Sequence, residues 1–479
     1  MAALEQAADG PAERTVQRPG DPGAGAARPM AARTRLLLEA PIAPTLLRLA
    51  APNVLVMLMQ SSVGLIETYF VGRLGTAALA GVALVFPIVM LMQMMSAGAM
   101  GGGIASAIAR ALGAGRRADA DALAWHALLI AGLLGGFFTL AVIGGGPWLY
   151  RAMGGDGATL DAALTYSNVV FAGALLLWVM NTLASILRGT GNMLLPAAVI
   201  CVGALVLVPL SPALIFGWGP FPALGVAGGG VAVVSYYAVG ALVLGACLRA
   251  RASLVRLTLT GIRLRWALFY DILRVGAVAS LITVQTNLTV VVLTGLVGSF
   301  GAAAIAGYGI GARLEYLLVP LVFGFGAPLV AMVGTSIGAG DLKRAQRVAW
   351  LGGAIAGAVT EAIGVGAALA PGAWIAPFSS DPGVVAAATT YLRIAGPCYG
   401  FFGLGMALYF AAQGAGRLTW PFLANLTRLA VATGGGWFAF RWLDGGLAGL
   451  FGMLAAALVL FGTINAVAVA AGSWRGAAR

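Results

Sequence analysis

From about residue 46 onward the chain alternates long apolar runs with short polar breaks. An α-helix crosses the roughly 30 Å hydrocarbon core of a bilayer in about 20 residues. Twelve runs are long enough, near 46–71, 77–107, 122–146, 162–187, 193–216, 224–248, 275–297, 302–335, 349–370, 384–412, 419–440 and 446–471. The pattern predicts an all-α integral membrane protein with twelve transmembrane helices. The second and eighth runs exceed a simple crossing, so they are expected to tilt or to extend past the bilayer.

The polar breaks carry a strong charge bias. Counted from a cytoplasmic N-terminus, the inside segments hold 22 basic residues, among them Arg110, Arg116, Arg117, Arg188, Lys343, Arg344 and Arg347. The outside breaks hold only Arg73, Arg151 and Arg441. This is the positive-inside distribution of an even number of spans with both termini cytoplasmic. It also accounts for the net charge of +12, which in a soluble protein would suggest nucleic acid.

The chain repeats itself. GRLGTAALAG at 72–81 returns as GSFGAAAIAG at 298–307, and LGAG at 112–115 as IGAG at 337–340. RGTGN at 188–192 is followed by QGAGR at 413–417. Offsets of 225–226 residues divide the chain into two similar halves of six spans. Equal orientation of the halves predicts two six-helix lobes related by a pseudo-twofold axis along the membrane normal, with a cleft between them. The expected limits are a disordered cytoplasmic tail at 1–35, lobes at 36–248 and 275–473, a basic cytoplasmic connection at 249–274, and a short tail at 474–479. The amphipathic stretch Trp266–Leu273 is expected to lie along the inner surface. Leu36–Leu38 is too short for the apolar core of a signal peptide.

Composition agrees with lipid rather than water as solvent. Residues are 60% hydrophobic and 9% charged, against about 25% charged in soluble domains. The 71 glycines lie largely within apolar runs, where small residues let helix backbones approach closely. Cys201, Cys247 and Cys398 are far apart in apolar runs and read as small buried hydrophobes, not metal ligands. No nucleotide-binding GxxxxGK[ST] run occurs, so transport would draw on an ion gradient. Paired acids, a histidine cluster or a nucleophile with its base, as an enzyme would need, are not visible.

Three acids fall inside spans, where a charge is costly and must face a cavity or a partner. Glu67 follows Asn53, Met57, Gln60 and Gly64 at helical steps, giving one polar face. A carboxyl held there can take up and release a proton, with Gln60 beside it. Glu315 shares a face with Tyr308, Gly311 and Ala312, while Arg313, two residues away, does not meet it on the helix. Function and a structural charge pair are equal readings of that pair. Glu361 is expected to be structural, near the outer rim. Ser280, Thr283, Asn287 and Thr294 stripe the seventh span, and Trp178 and Asn181 share a face on the fourth. Together with Asn53, Tyr308, Arg313 and Glu315 they are candidates to line a cavity for an amphipathic cation. Polar residues of this kind also fasten helices together. His126, the sole histidine, is expected at the interface without a function. Arg393 and Arg428 either snorkel or pair with acids.

The residues that recur in both halves resemble the multidrug and toxic compound extrusion (MATE) family. Pro52 and Glu67 precede Val71-Gly72-Arg73-Leu74-Gly75 and Ala78-Leu79-Ala80, and Leu112-Gly113-Ala114-Gly115 closes the second span. Gly311-Ala312-Arg313-Leu314-Glu315, Ile337-Gly338-Ala339-Gly340-Asp341 and Gln413-Gly414-Ala415-Gly416 follow in the second half. The likeness covers roughly residues 40–470. It implies a cation-coupled antiporter of the bacterial inner membrane that exports organic cations or drugs, with no protein partner required. The family usually carries an aspartate where Glu67 stands, implicated in coupling. It often has Asn and Asp in the fifth span where this chain has Leu207 and Ser211, and some members have an acid in the seventh span, where this chain has none. Loss of those oxygens favours H+ over Na+ as coupling ion and leaves Glu315 as a substitute acid; no cofactor or metal is implied. The alternative reading is a flippase for lipid-linked sugars or lipids of the same broad superfamily, in which Arg313, Arg393 and Arg428 would supply a basic lining.

Overall fold

A computed structural model describes residues 32–250, 253–257, 264–442 and 445–475. The expected tail lies outside the described residues as far as position 31, as do parts of the connection and the last four residues. All regular structure among the described residues is helical.

The first lobe follows a short helix, α1 (Ala32–Glu39). Its spans are α2 (Ile42–Gly72), then α3 (Thr76–Gln93) continuing through a π-helical stretch, Met94–Met100, into α4 (Gly101–Gly113). Next come α5 (Arg117–Ala152) and the bent pair α6 (Gly157–Ala172) and α7 (Ala174–Gly189). The lobe closes with α8 (Leu194–Phe216) and α9 (Val226–Arg249).

The second lobe comprises α10 (Trp266–Gly298), α11 (Ala302–Gly338) and α12 (Leu342–Leu369). A short α13 (Pro371–Ile375) precedes α14 (Pro382–Ala395), which runs into α15 (Tyr399–Ala415). The last elements are α16 (Thr419–Leu429), joined by a π-helical stretch to α17 (Gly436–Trp442), and α18 (Gly446–Ala470).

Ten of these units are long and apolar enough to cross a membrane singly, and α6 with α7, bent by 47°, makes an eleventh. The run α16–α17 occupies the position of the remaining expected span. Twelve crossings in two lobes result. The bend at Gly173 has no proline and was not legible in the hydrophobic pattern. The turn is packed tightly: a Cβ on Gly173 would meet Val234 of α9 at 2.5 Å.

The repeated motifs are the turns of the two lobes. Gly75 and Gly301, Gly115 and Gly340, and Gly191 and Gly416 all have φ between +71° and +116°. Positive φ strains any side chain, so glycine is favoured where a helix has ended, at Gly115, Gly191, Gly340 and Gly416, or where the next begins, at Gly75 and Gly301. The repeat is therefore conserved between halves of the chain where the backbone must reverse.

One expectation is corrected, and His126 gains partners. Trp266–Leu273 is not a separate surface helix but the opening turns of α10, continuous with the seventh span. His126, expected at the interface, is fully buried under the connection. Its Nε2 accepts from the Arg265 backbone N–H at 2.9 Å, and its Nδ1 lies 2.8 Å from the Ala122 carbonyl. With Nε2 accepting, the proton belongs on Nδ1. Asp121 accepts from the Arg256 N–H at 2.7 Å, and Asp119 pairs with the Arg265 guanidinium. The start of α5 thus pins the connection between the lobes.

Candidate substrate and coupling site

The lobes meet along the ends of the helices at which α2 begins, here termed the inner end. Ser106 of α4 donates to the Gln413 carbonyl of α15 at 2.5 Å and lies 2.9 Å from that of Gly414. Arg110 donates to Ser106, to the Gly414 carbonyl at 3.2 Å and to Asp271 of α10 at 3.0 Å. Asp271 also pairs with Arg274 at 2.7 Å. Gln413 reaches back, its amide donating to the carbonyls of Gly98 and Ala99 at 3.3 Å each. A Cβ on Gly113 would lie 2.1 Å from the Thr335 carbonyl oxygen, and one on Gly338 2.1 Å from that of Arg110. Only glycine on both faces permits this approach. By contrast, α3, the outer half of the same span, packs mainly on elements of its own lobe. The contacts between the lobes close the inner end.

Glu67 sits on the outer part of α2, inside the first lobe. The residue is half-buried, and its Oε1 is sealed from solvent without a hydrogen-bond partner. Tyr166 of α6 and Tyr237 of α9 are close enough to feel its charge. Gln60, two turns earlier on α2, is within hydrogen-bonding reach of the Tyr236 hydroxyl. Ser211 of α8 is buried with its Oγ unpartnered, and Leu207 is buried one turn away. Among the described residues no group of three or more His, Cys, Asp or Glu side chains could hold a metal ion.

The second lobe holds a different arrangement. Glu315 of α11 accepts from the Tyr391 hydroxyl at 3.1 Å and from Arg428 at 3.4 Å. The Tyr399 hydroxyl donates to that of Tyr391 at 3.4 Å. Tyr308 packs edge-on to Tyr391 at 5.4 Å and stacks on Phe451 at 6.1 Å. Arg428 lies over the rings of Phe402 and Phe461, at 5.6 and 5.7 Å. Glu315 is therefore a neutralised acid in an aromatic box. Its partner is Arg428, whereas Arg313 is exposed and reaches the Phe378 ring at 5.4 Å. Glu361 caps a helix start: its carboxylate accepts from the Gly400 N–H at 2.6 Å, one of the donors that a helix leaves unsatisfied.

The other expected cavity residues are dispersed. Trp178 is 1% exposed and packs beside Phe138. Asn181 donates to Ser96 at 2.8 Å and to Gln93 at 3.4 Å, tying α7 to the π-helical stretch. Asn53 is buried and donates to the Leu49 carbonyl. Ser280, Thr283, Asn287 and Thr294 each bond the carbonyl four residues back, with Asn287 exposed. Of the expected set, Tyr308 and Glu315 share one cluster, and Glu67 and Gln60 lie along one face of α2.

The family model MatE matches residues 52–213 and again residues 278–437. The chain belongs to the MatE family. The two matches start 226 residues apart, at 52 and 278, which is the offset of the sequence motifs. A relative from Shewanella oneidensis, named "FAD transporter", is 26% identical over 82% of this chain and 87% of that protein. One from Deinococcus radiodurans, named "Probable multidrug resistance protein NorM", is 30% identical over 80% of this chain and 84% of its own. Among solved structures, "Crystal structure of MATE in the bent conformation" superposes with a TM-score of 0.85 at 23% identity. That match covers 92% of this chain and 98% of the other. As a MatE protein the chain is a multi-pass membrane transporter and not an enzyme.

Several residues of this MatE transporter's polar clusters were missed in the sequence. Tyr166 and Tyr237 lie near Glu67 and Tyr236 near Gln60, while Tyr391 and Tyr399 join the Glu315 cluster. Tyrosine in an apolar run gives no signal of its own, because the same residue serves equally in a core. Arg428 was visible as a charge inside a span, but only folding brings it to Glu315.

Proposed function

We propose that this MatE transporter is a cation-coupled antiporter that exports organic cations or amphipathic drugs by alternating access, with H+ as the coupling ion. The observation that carries the reading is Glu67: an unpartnered carboxylate oxygen sealed from solvent inside one lobe, with Tyr166 and Tyr237 near enough to feel its charge. A group in that setting has little to hold it in one protonation state when its surroundings change. The charge bias orients the closed inner end toward the cytoplasm. The closed arrangement is then the one that releases substrate outward. Protonation of Glu67 from outside displaces substrate, the lobes rock, and the proton leaves on the cytoplasmic side. Relatives named as multidrug resistance proteins support the substrate class.

The test uses purified protein in liposomes, a fluorescent organic cation, and a pH or Na+ gradient imposed separately. Uptake driven by the pH gradient and lost in Glu67→Gln is the expected result. Uptake driven only by Na+, or full coupling in the variant, overturns the assignment. A second reading rests on the Shewanella relative, whose name specifies FAD. Competition by FAD, with no response to the organic cation, would move that reading to first place.

A further inference from the structure

A groove of about 720 Å³ opens at the inner end between α2 of the first lobe and α12 and α18 of the second. Its rim is Lys343, Gln346 and Arg347, and its floor includes Leu351, Ala354 and Val469. Lys343, Arg347, Trp350, Leu351 and Ala354 recur at steps of three and four along α12, so they form one stripe. From Lys343 to Ala354 the stripe descends about 16 Å at 1.5 Å per residue. It is basic at the helix end, has Trp350 half-way, and is apolar below.

Lys343 and Arg347 are exposed and form no ion pair among the described residues. The acids nearby, Asp341 and Glu39, lie close to Arg344 on the adjoining face of the helix. Asp341 also caps α12 by accepting from the Arg344 N–H. Arg344 in turn donates to the carbonyls of Leu37 and Ala40.

We propose that this groove binds an anionic phospholipid. The phosphate-bearing headgroup pairs with Lys343 and Arg347, Trp350 sits at headgroup level, and an acyl chain lies along Leu351, Ala354 and Val469. Two positive charges above an apolar trough match a lipid of this class. They match neither a zwitterionic lipid, whose own ammonium would compete, nor a free anion, which leaves the trough unfilled. The site is separate from Glu67 and from the Glu315 cluster, so it stands whatever the transported substrate is.

Native mass spectrometry of the detergent-solubilised protein tests this. The probes are phosphatidylglycerol, phosphatidylcholine and inorganic phosphate, applied to wild type, Lys343→Gln/Arg347→Gln, and an Arg151→Gln/Arg441→Gln control. Each cation near a headgroup contributes about fivefold, so the rim variant is expected to bind phosphatidylglycerol about 30-fold more weakly. The control is expected to behave as wild type. Ala354→Trp, which fills the trough and keeps both charges, is expected to lose the lipid too. Equal retention of phosphatidylcholine, undiminished phosphatidylglycerol binding in the rim variant, or full competition by inorganic phosphate would overturn the proposal.

Discussion

The Arg428 guanidinium lies 3.4 Å from the Glu315 carboxylate although 113 residues separate them in sequence. Both side chains are largely buried, at 6% and 16% exposed. Their attraction offsets the loss of water only because Tyr391 supplies a second hydrogen bond and two aromatic faces flank the guanidinium.

Removing one partner therefore leaves an uncompensated charge. Arg428→Met is expected to destabilise the second lobe by about 3–5 kcal/mol. The double variant Glu315→Gln/Arg428→Met should regain most of it. Thermal unfolding in detergent reads both, and an unchanged midpoint in the single variant would contradict the pairing.

Closure of the inner end depends on Gly113 and Gly338, since a side chain at either collides with a carbonyl of the opposite lobe. Gly113→Leu should shift the population toward an open inner end while each lobe stays folded. A thiol reagent applied to Ser106→Cys, in a background lacking Cys201, Cys247 and Cys398, reports this directly, because Ser106 is fully buried when closed. Labelling should rise on the order of tenfold for each 1.4 kcal/mol of shift.

His126→Leu removes the acceptor for the Arg265 N–H. An orphaned backbone donor costs about 1–3 kcal/mol, and here it loosens the connection between lobes. Hydrogen exchange should accelerate in residues 264–270 well before any change in α7 or α8.

Arg344→Gln is expected to release α1, whose Leu37 is buried beside Gly191 of the first lobe while Arg344 of the second holds the Leu37 and Ala40 carbonyls. Faster exchange confined to residues 32–40 would establish that these contacts hold the segment. Exchange equal to wild type would mean that burial of Leu37 alone suffices.

The hydrophobic pattern and the recurring motifs along the chain determined the number of crossings, the two-lobe repeat and the carboxylates inside the membrane. Each of those follows from a constraint acting along the chain: a bilayer of fixed thickness, backbone reversals that need glycine, and the cost of an intramembrane charge. Tertiary structure decided the rest. Whether Glu315 meets Arg313 or Arg428, whether Trp178 faces a cavity or a core, and which segment covers His126 depend on contacts between distant segments. A polar residue in an apolar helix must find a partner, but sequence spacing shows only the neighbours on its own helix. Asn181 bonding Ser96 and Glu361 bonding Gly400 are partners of that kind, reached only when the helices pack.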